Sequence, residues 1–311
     1  MQKIEYPCKI DASMQPAVVH FATGDEARPL LVALHTWSFD ENGDSQGYEE
    51  CCAKHNWNMI FPKFRGPNST PEACCSEYVV SDLEDAVSYM KLVSNVDLDR
   101  VYLTGGSGGG MCALYMAGRR PDLWTAVSAW CPISDLLAWY KQCNGTRCAC
   151  YARHIEGVLG KPEQNERFAQ EARMRSPLTW LQNALNVPLD ISTGIHDGHT
   201  GSVPVSHAFN AFNTLALPDD RIRNDYIDYI VEKEQIPEPL QGENQQDPSF
   251  MERTVHFRRQ SRNARITIFE GTHEIFCATA CHWLSKQVRG KKIDWQQGDK
   301  IAATGNTALT K

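Results

Sequence analysis

The stretch VYLTGGSGGGMCALYMAG, residues 101–118, decides the fold that the sequence predicts. Its first four residues are β-branched, aromatic or aliphatic and predict a buried strand, whereas residues 111–117 predict a helix. Between them lies a G-x-S-x-G motif at 105–109, in the strand-to-helix setting that this motif requires. Glycines let the strand and the helix approach closely around a strained serine. The pattern predicts a nucleophile elbow at Ser107 rather than a phosphate-binding loop, since no P-loop lysine follows.

The composition is that of an ordinary globular chain with a moderate negative charge. Hydrophobic residues make up 42% and charged residues 22% of the 311 residues, and the formal net charge is -7. Because there is no basic block, we expect neither a nucleic-acid partner nor a membrane partner. No apolar run approaches the roughly 18 residues that span a bilayer, and residues 1–16 lack the apolar core of a signal peptide. These features favour a cytoplasmic protein, or a periplasmic or secreted one if a signal was removed.

The twelve cysteines predict packing rather than cross-linking. Two adjacent pairs, at 51–52 and 74–75, are poorly placed to bond within the pair, and a chain of this length can build a full core without disulfides. We expect reduced thiols that pack as small hydrophobes. One group has zinc-donor residue types without the C-x2-C spacing of a strong zinc signal, so a disulfide or plain packing is favoured there: Cys143, Cys148, Cys150 and His154. The sequence predicts no metal and no cofactor.

Strand-like and helix-like patterns alternate along the chain, and this predicts an α/β fold with a mainly parallel central sheet flanked by helices. Strands besides the one in the elbow are predicted at 17–22, 30–35, 58–64, 125–131, 188–195 and 265–269, the last perhaps pairing with 254–258. Helices besides the one in the elbow are predicted at 46–55, 76–93, 202–217 and 275–288. We expect a single domain over 1–311 with three irregular parts. They are a cap-like helical insertion after the sixth strand (134–186), a loop excursion with a short helix (218–250) and a polar, frayed tail (289–311).

A serine nucleophile needs a base, and the base needs an orienting acid. After a nucleophile elbow these follow in the chain order acid, then histidine. Asp197 comes directly after the seventh strand and His273 directly after the last, at the strand ends where catalytic loops emerge. The sequence therefore predicts Ser107 as nucleophile, Asp197 as acid and His273 as base. The acidic residues of 218–250 and the mid-helix His282 are better explained as surface or core residues.

Acyl transfer also requires two N–H donors that face the developing oxyanion. The amide after the nucleophile, at Gly108, is the first candidate. The second is the Trp37 amide in the loop after the strand at 30–35, with Thr36 as the alternative. His35 is expected to hold this loop rather than to act as a ligand or base.

Four side chains are candidates for substrate contacts: Thr36, Arg65, Trp130 and His199. Arg65 follows a strand end, as Asn68 does, and could bind a polar or carboxylate group, although a salt bridge within the loop is equally consistent with its position. Trp130 lies at a strand end, where core packing is favoured over a role as an aromatic platform for a sugar or phenolic group. His199 lies too close to Asp197 to be the base but could line the pocket.

Several segments resemble, in this order, the catalytic domain of the prolyl oligopeptidase family, a branch of the α/β-hydrolase superfamily: LHTW, FRGPN, GGSGGG, RSPL, GIHDGHTGSVPVSHAF and EGTHE. The resemblance covers about residues 17–290. It implies an α/β-hydrolase fold and the roles given above for Ser107, Asp197 and His273. The sequence departs from the family's peptidases in lacking their long N-terminal β-propeller, and it has HTW where HGG is commoner.

Members of this superfamily without a propeller are often esterases. The resemblance therefore implies a serine hydrolase that acts through an acyl-enzyme on a small-molecule ester, such as an acetylated or feruloylated carbohydrate. One alternative is a serine peptidase of the prolyl oligopeptidase type that acts on short peptides. Another is a non-catalytic binding protein on the same fold.

Overall fold

Nine strands form a mixed sheet in the computed structural model, which describes residues 1–43, 45–243, 246–296 and 306–308. The strands are β1 (Gln2–Pro7), β2 (Met14–His20), β3 (Arg28–Leu34), β4 (Asn58–Pro62), β5 (Val96–Gly106), β6 (Ala126–Trp130), β7 (Leu189–Gly194), β8 (Val255–Ser261) and β9 (Ala264–Phe269). Their order across the sheet is β1-β2-β4-β3-β5-β6-β7-β9-β8. The strands from β4 across to β9 are parallel, and β1, β2 and β8 join antiparallel at the edges. The predicted α/β class is confirmed.

Helices cover both faces of this sheet, in agreement with the α/β-hydrolase fold. They are α1 (Gln46–His55), α2 (Glu77–Val93), α3 (Gly108–Arg119), α4 (Leu136–Cys143), α5 (Ala149–Leu159), α6 (Phe168–Met174), α7 (Pro177–Trp180), α8 (Ser206–Leu215), α9 (Asn224–Lys233) and α10 (Cys277–Ser285). Helices α1 and α10 contribute to the hydrophobic core on one face, and α2, α3 and α8 to the core on the other. Among the described helices, none combines the length and the apolar character needed to cross a membrane.

The central strands are apolar along their length because helices cover both of their faces. Every residue of β4, β6, β7 and β9 is buried, and in β3 only the first residue is not. Such continuous runs are recognisable as strands in the sequence. However, burial on both faces removes the alternation that would indicate which face each side chain occupies.

The first strand, β1, was not predicted. Tyr6 is the only fully buried residue among its six, and the charged Lys3 and Glu5 are exposed. A short polar strand that pairs antiparallel with β2 has no apolar run for the sequence to reveal. Charges on such an edge strand disfavour pairing with other chains.

The predicted helices at 202–217 and 275–288 are shorter than expected. The first begins only at Ser206, so that Pro204 precedes the helix and does not open it. The second spans Cys277–Ser285, because residues 274–276 form a short strand β10 (Glu274–Phe276) that pairs with β11 (Asn306–Ala308). The predicted pairing of 254–258 with the last strand is confirmed by the antiparallel contact of β8 with β9.

The three irregular segments differ in character. Residues 134–186 contain α4 to α7 and a 3-10 turn, and residues 218–250 contain α9 and short 3-10 turns, with 244–245 outside the described residues. Of the tail at 289–311, residues 297–305 and 309–311 lie outside the described residues. Trp295 stacks on Trp283 with ring centroids 5.4 Å apart. The expectation of a frayed tail is therefore wrong for its first part.

Candidate active site

Ser107 lies at the turn from β5 to α3 with φ 58° and ψ -119°, a strained conformation for a residue with a side chain. Its amide donates to the Trp130 carbonyl oxygen at 2.9 Å, which ties the turn to the end of β6. The flanking glycines are required by close packing: a Cβ at Gly105 would lie 2.6 Å from the Gly109 carbonyl carbon, and a Cβ at Gly109 would lie 2.7 Å from the His35 carbonyl oxygen. The local geometry is that of a nucleophile elbow.

Asp197 and His273 form a buried pair in the loops after β7 and β9. The Nδ1 atom of His273 lies 2.7 Å from Oδ2 of Asp197. The other carboxylate oxygen accepts hydrogen bonds from the Gly198 amide at 3.0 Å and the Val203 amide at 3.1 Å. These contacts fix the carboxylate and leave Nε2 of His273 as the ring nitrogen available to a reacting group.

The environment of His273 raises its pKa. Burial lowers the pKa of the ring, but the charge of Asp197 and its hydrogen bond to Nδ1 raise it more, so that the net pKa lies above the usual 6.5. The Asp197 carboxylate can thus stabilise the imidazolium that forms when Nε2 takes a proton.

The end of β6 connects the serine to the Asp197–His273 pair. The Trp130 carbonyl oxygen accepts a hydrogen bond from the Ser107 amide. The next residue is Cys131, and its Sγ lies within 4.8 Å of a carboxylate oxygen of Asp197 and a ring nitrogen of His273. The parallel strands β5, β6, β7 and β9 are neighbours in the sheet and all end on the same side of it. Their carboxyl-terminal ends therefore bring the predicted nucleophile, acid and base to that side.

The Trp37 backbone packs directly against the first residue of α3. A Cβ at Gly108 would lie 2.7 Å from both N and Cα of Trp37. Gly108 begins the helix, so its N–H has no partner within α3. No described residue accepts a hydrogen bond from the Trp37 N–H. The two amides predicted to form the oxyanion hole are adjacent, and the geometry leaves both available.

His35 holds the peptide that carries the Trp37 amide. Its Nδ1 lies 2.8 Å from the Thr36 carbonyl oxygen and its Nε2 lies 2.8 Å from that of Lys63. The ring stacks on Phe64 with centroids 3.9 Å apart, and burial lowers its pKa. Because a trans peptide points its N–H opposite to its C=O, a fixed Thr36 carbonyl also fixes the direction of the Trp37 N–H. The predicted structural role of His35 agrees with these contacts.

We expect His35→Gln to lower kcat by about tenfold, less than the 10²–10³ that follows outright loss of an oxyanion donor. The longer amide can still reach the Lys63 carbonyl but not that of Thr36, so the Trp37 amide loses its alignment. His35→Asn is the matched variant, because its amide nitrogen can occupy the place of Nδ1. Ester hydrolysis would show a higher kcat for His35→Asn than for His35→Gln, with similar KM values. Equal losses in both variants would contradict the role.

Arg65 is bound within the protein, and its predicted substrate contact is wrong. The guanidinium donates to Asp82 through Nε and Nη2, both at 2.8 Å, and to Asp11 through Nη1 at 2.6 Å. The ring of Tyr78 lies 4.8 Å from its Cζ atom. Arg65 does form salt bridges, but not within its own loop as the alternative had it, since Asp82 lies in α2 and Asp11 lies between β1 and β2. The backbone amide of Asn68 donates to the Trp37 carbonyl oxygen at 2.9 Å, and the Asn68 side-chain oxygen accepts the Cys74 amide at 2.9 Å.

Replacement of Arg65 by Met should lower the free energy of unfolding by about 3 kcal/mol, because it leaves a buried carboxylate without its partner. The Asp82 side chain is 0% exposed and that of Arg65 10% exposed. Arg120→Met is the control, since the pairs of Arg120 with Glu84 and Asp122 are more exposed and their loss should cost about 1 kcal/mol or less. Urea unfolding would measure both. A rise in KM for Arg65→Met without loss of stability would restore the substrate role.

A second predicted substrate contact, that of Trp130, is also wrong. Trp130 is fully buried, with its ring within 6 Å of those of Phe269 and Phe276, and its indole N–H donates to Ser128. It is a core residue.

The other two predicted substrate contacts stay predictions. His199 is exposed and contacts the end of α9, with Nε2 2.5 Å from the Val231 carbonyl oxygen. Thr36 lies half-buried beside the Trp37 amide.

Residues of the 134–186 insertion donate hydrogen bonds to the loop that carries Asp197, and the sequence did not predict these contacts. The Trp139 indole donates to the Ser202 carbonyl oxygen at 2.9 Å, and Arg147 donates to the carbonyls of His199, at 2.6 Å, and Gly201. Gly201 in turn packs against both Asp197 and His273. The placement of the acid and base therefore depends on contacts made by residues 134–186.

The same insertion covers Trp37 with aromatic rings. Trp139 meets it edge-on with centroids 4.7 Å apart, Tyr151 lies at 6.4 Å, and the Trp37 indole donates to Nδ1 of His154 at 3.3 Å. His154 thus has a partner other than a metal. All twelve cysteines, which lie within the described residues, are free, as expected; of the two alternatives at 143–154, a disulfide or plain packing, the disulfide is not formed.

Comparison with known proteins places the chain in a family and a fold. A model of the prolyl oligopeptidase family matches residues 75–235, just over half of the 311-residue chain. A search of curated proteins gave no significant match.

Among solved structures, the orthorhombic form of Pyrococcus horikoshii acylaminoacyl peptidase is similar, with a TM-score of 0.63 and 14% identity, over 95% of this chain and 42% of that one. A structure from work on two prolyl endopeptidases gives a TM-score of 0.56 and 19% identity, over 69% of this chain and 31% of that one. At these identities the similarity shows the fold. The chain matches about a third to two fifths of the length of these structures.

Proposed function

Because the chain belongs to the prolyl oligopeptidase family of serine hydrolases, we propose that it hydrolyses carboxylic esters through an acyl-enzyme at Ser107. The observation that carries the proposal is the strained serine at the β5–α3 turn, placed at the same sheet edge as the buried Asp197–His273 pair. A serine hydroxyl in this setting becomes a nucleophile when a neighbouring imidazole takes its proton.

In the proposed reaction, Ser107 Oγ attacks the ester carbonyl carbon while Nε2 of His273 takes the hydroxyl proton. The negative charge that develops on the carbonyl oxygen is stabilised by the Gly108 and Trp37 amides. The imidazolium then gives its proton to the departing alcohol, leaving the acyl group on Ser107. Water, deprotonated by His273, hydrolyses this acyl-enzyme, and Asp197 stabilises the imidazolium in both steps. No cofactor takes part.

The charges around the site support an uncharged substrate. Glu234 and Glu270 contact His196 at 2.7 and 3.0 Å, and Glu274 contacts Arg253 at 3.3 Å. Arg147 is engaged by two carbonyl oxygens. These nearby charges have partners and are poorly suited to grip the charged terminus of a short peptide, whereas the aromatic residues of the insertion suit an apolar or sugar-like group.

A peptidase is the second candidate, and the structural neighbours support it. The similar structures are named acylaminoacyl peptidase and prolyl endopeptidases. A substrate with a blocked amino terminus would also be uncharged at that end, so the paired charges are compatible with such a peptide. A non-catalytic binding protein is disfavoured by the geometry of Ser107, Asp197 and His273.

The decisive experiment compares short-chain p-nitrophenyl esters with free aminoacyl, N-acylated aminoacyl and prolyl anilides. Turnover of the esters with inert anilides would support the esterase, and acetylated and feruloylated oligosaccharides would be assayed next. Cleavage of N-acylated anilides at comparable kcat/KM would support the peptidase and overturn the esterase proposal. A Ser107 that fails to react with a fluorophosphonate, with no turnover of either class, would favour the binding protein.

A further inference from the structure

Cys131 has a position that the acyl-transfer chemistry does not use. It is the first residue after β6 and has φ 45°, in the left-handed region that residues with a side chain rarely adopt. Its side chain is buried, and its Sγ lies 3.3 Å from the Glu274 carbonyl oxygen. The strained backbone directs this thiol toward the Asp197–His273 pair.

Three side chains meet there with the donor atoms of a metal site. One thiol sulfur of Cys131, one carboxylate oxygen of Asp197 and one imidazole nitrogen of His273 lie within 4.8 Å of one another, and all three residues are buried. Within the described part of the chain this is the only such group of His, Cys, Asp or Glu. Cys143, Cys148, Cys150 and His154, for which the sequence favoured a disulfide or packing over zinc, do not form such a group.

We propose that Cys131, Asp197 and His273 bind a thiophilic divalent cation, Zn²⁺ or Cd²⁺, and that the bound ion inhibits the enzyme. Thiolate, imidazole and carboxylate are the ligands that zinc takes in proteins, at about 2.0–2.3 Å. Tetrahedral ligands at those lengths lie about 3.3–3.7 Å apart. The three donor atoms thus need only small side-chain rotations, which include opening the 2.7 Å contact between Asp197 and His273.

Coordination of Zn²⁺ or Cd²⁺ by these three side chains involves no oxidation or reduction. The Cys131 thiol loses its proton to solvent, the imidazole coordinates as the neutral ring through one nitrogen with its single proton on the other, and a water molecule completes the fourth position. Inhibition follows because the ion takes the acid and the base together. With one ring nitrogen bound to the metal and the other protonated, His273 has no nitrogen left to accept the Ser107 proton. The inhibitory readout rests on the proposed function, whereas the binding itself does not.

The test uses the full chain, freed of metal by dialysis against a chelator and kept under anaerobic conditions. Zn²⁺ and Cd²⁺ are titrated, with Mg²⁺ as an oxygen-preferring control, and each variant is compared with its own metal-free rate. We expect one ion per chain, inhibition of ester hydrolysis that a chelator reverses, and no effect of Mg²⁺. Cys131→Ser should weaken inhibition at least about 100-fold. Cys150→Ser, which removes an exposed thiol, is the matched control and should be inhibited like the wild type.

Direct binding is followed by the ultraviolet charge-transfer band of a Cd²⁺–thiolate bond, which requires no activity. Loss of this band in Cys131→Ser and a lowered affinity in His273→Gln would support the site, even if no ester is turned over. If Cys131→Ser does not fold, the His273→Gln titration alone decides. A wild-type protein without the band, or a band that Cys150→Ser abolishes and Cys131→Ser preserves, would overturn the proposal. Equal inhibition of Cys131→Ser and wild type would do so too.

Discussion

Replacement of Ser107 by alanine is expected to lower kcat for p-nitrophenyl esters by about 10⁶-fold, the magnitude seen when a serine nucleophile is removed from an assembled triad. The Asp197–His273 pair remains in place, but no atom is left to form the acyl-enzyme. Stopped assays of ester hydrolysis with active-site titration would measure the loss, and labelling by a fluorophosphonate should disappear. Turnover above about a thousandth of the wild-type rate would place the nucleophile elsewhere.

The same position offers a test of backbone strain. Ser107 has φ 58° and ψ -119°, a conformation that glycine adopts without a Cβ clash. Ser107→Gly should therefore be as inactive as Ser107→Ala but have a higher free energy of unfolding, by about 1 kcal/mol. Both variants lose the hydroxyl, so their difference in urea unfolding reports the strain less the additional unfolded-state entropy of glycine, about 0.4–1 kcal/mol. An alanine variant more stable than the glycine variant by that amount would show that the turn is relaxed.

The parts of the site that could be predicted are those encoded by local sequence. The elbow is visible because Gly105 and Gly109 stand at fixed distances from Ser107, and each glycine is enforced by backbone packing. Asp197 and His273 could be found because each follows a recognisable buried strand. The strands of a parallel sheet all end at one edge, so topology converts these separate positions into neighbours.

The failures have a common physical cause, which is that a side chain's partners lie far away in sequence. Arg65 pairs with Asp82, which lies 17 positions later in the chain, and with Asp11, which lies 54 positions earlier. Trp130 ends a strand whose two faces are both buried, so no periodicity indicates that its ring faces the core. For Trp130 core packing was already the favoured interpretation, whereas the local sequence gave no indication of the distant partners of Arg65.

The contact between residues 134–186 and the acid loop could not be predicted for the same reason. Trp139 and Arg147 bind carbonyl oxygens of residues 199–202, and carbonyl oxygens carry no sequence signature. Yet these bonds brace the segment that holds Asp197 and packs on His273. Changes within the insertion can therefore shift Asp197 and His273, and we expect them to alter the rate of the proposed reaction as well as its specificity.

Replacement of Asp197 by asparagine should lower kcat by about 10⁴-fold while leaving the fold intact. The Asp197 oxygen that accepts the Gly198 and Val203 amides can remain an oxygen, so the new amide nitrogen faces Nδ1 of His273. This nitrogen donates to Nδ1 and forces the ring proton onto Nε2, the atom that must accept the Ser107 proton. Kinetics with p-nitrophenyl esters, beside urea unfolding as the control for stability, would measure the effect.

The pH dependence gives this variant a second, independent signature. The base works only as the neutral imidazole, so kcat/KM rises with pH through the pKa of His273. Asp197 raises that pKa, and the acid limb of the wild type should lie above pH 6.5. Without the carboxylate charge, burial still lowers the pKa and only the contact with Cys131 still raises it, so the limb of Asp197→Asn should move to lower pH. A limb that stays at its wild-type position would show that Asp197 does not set the pKa of the base.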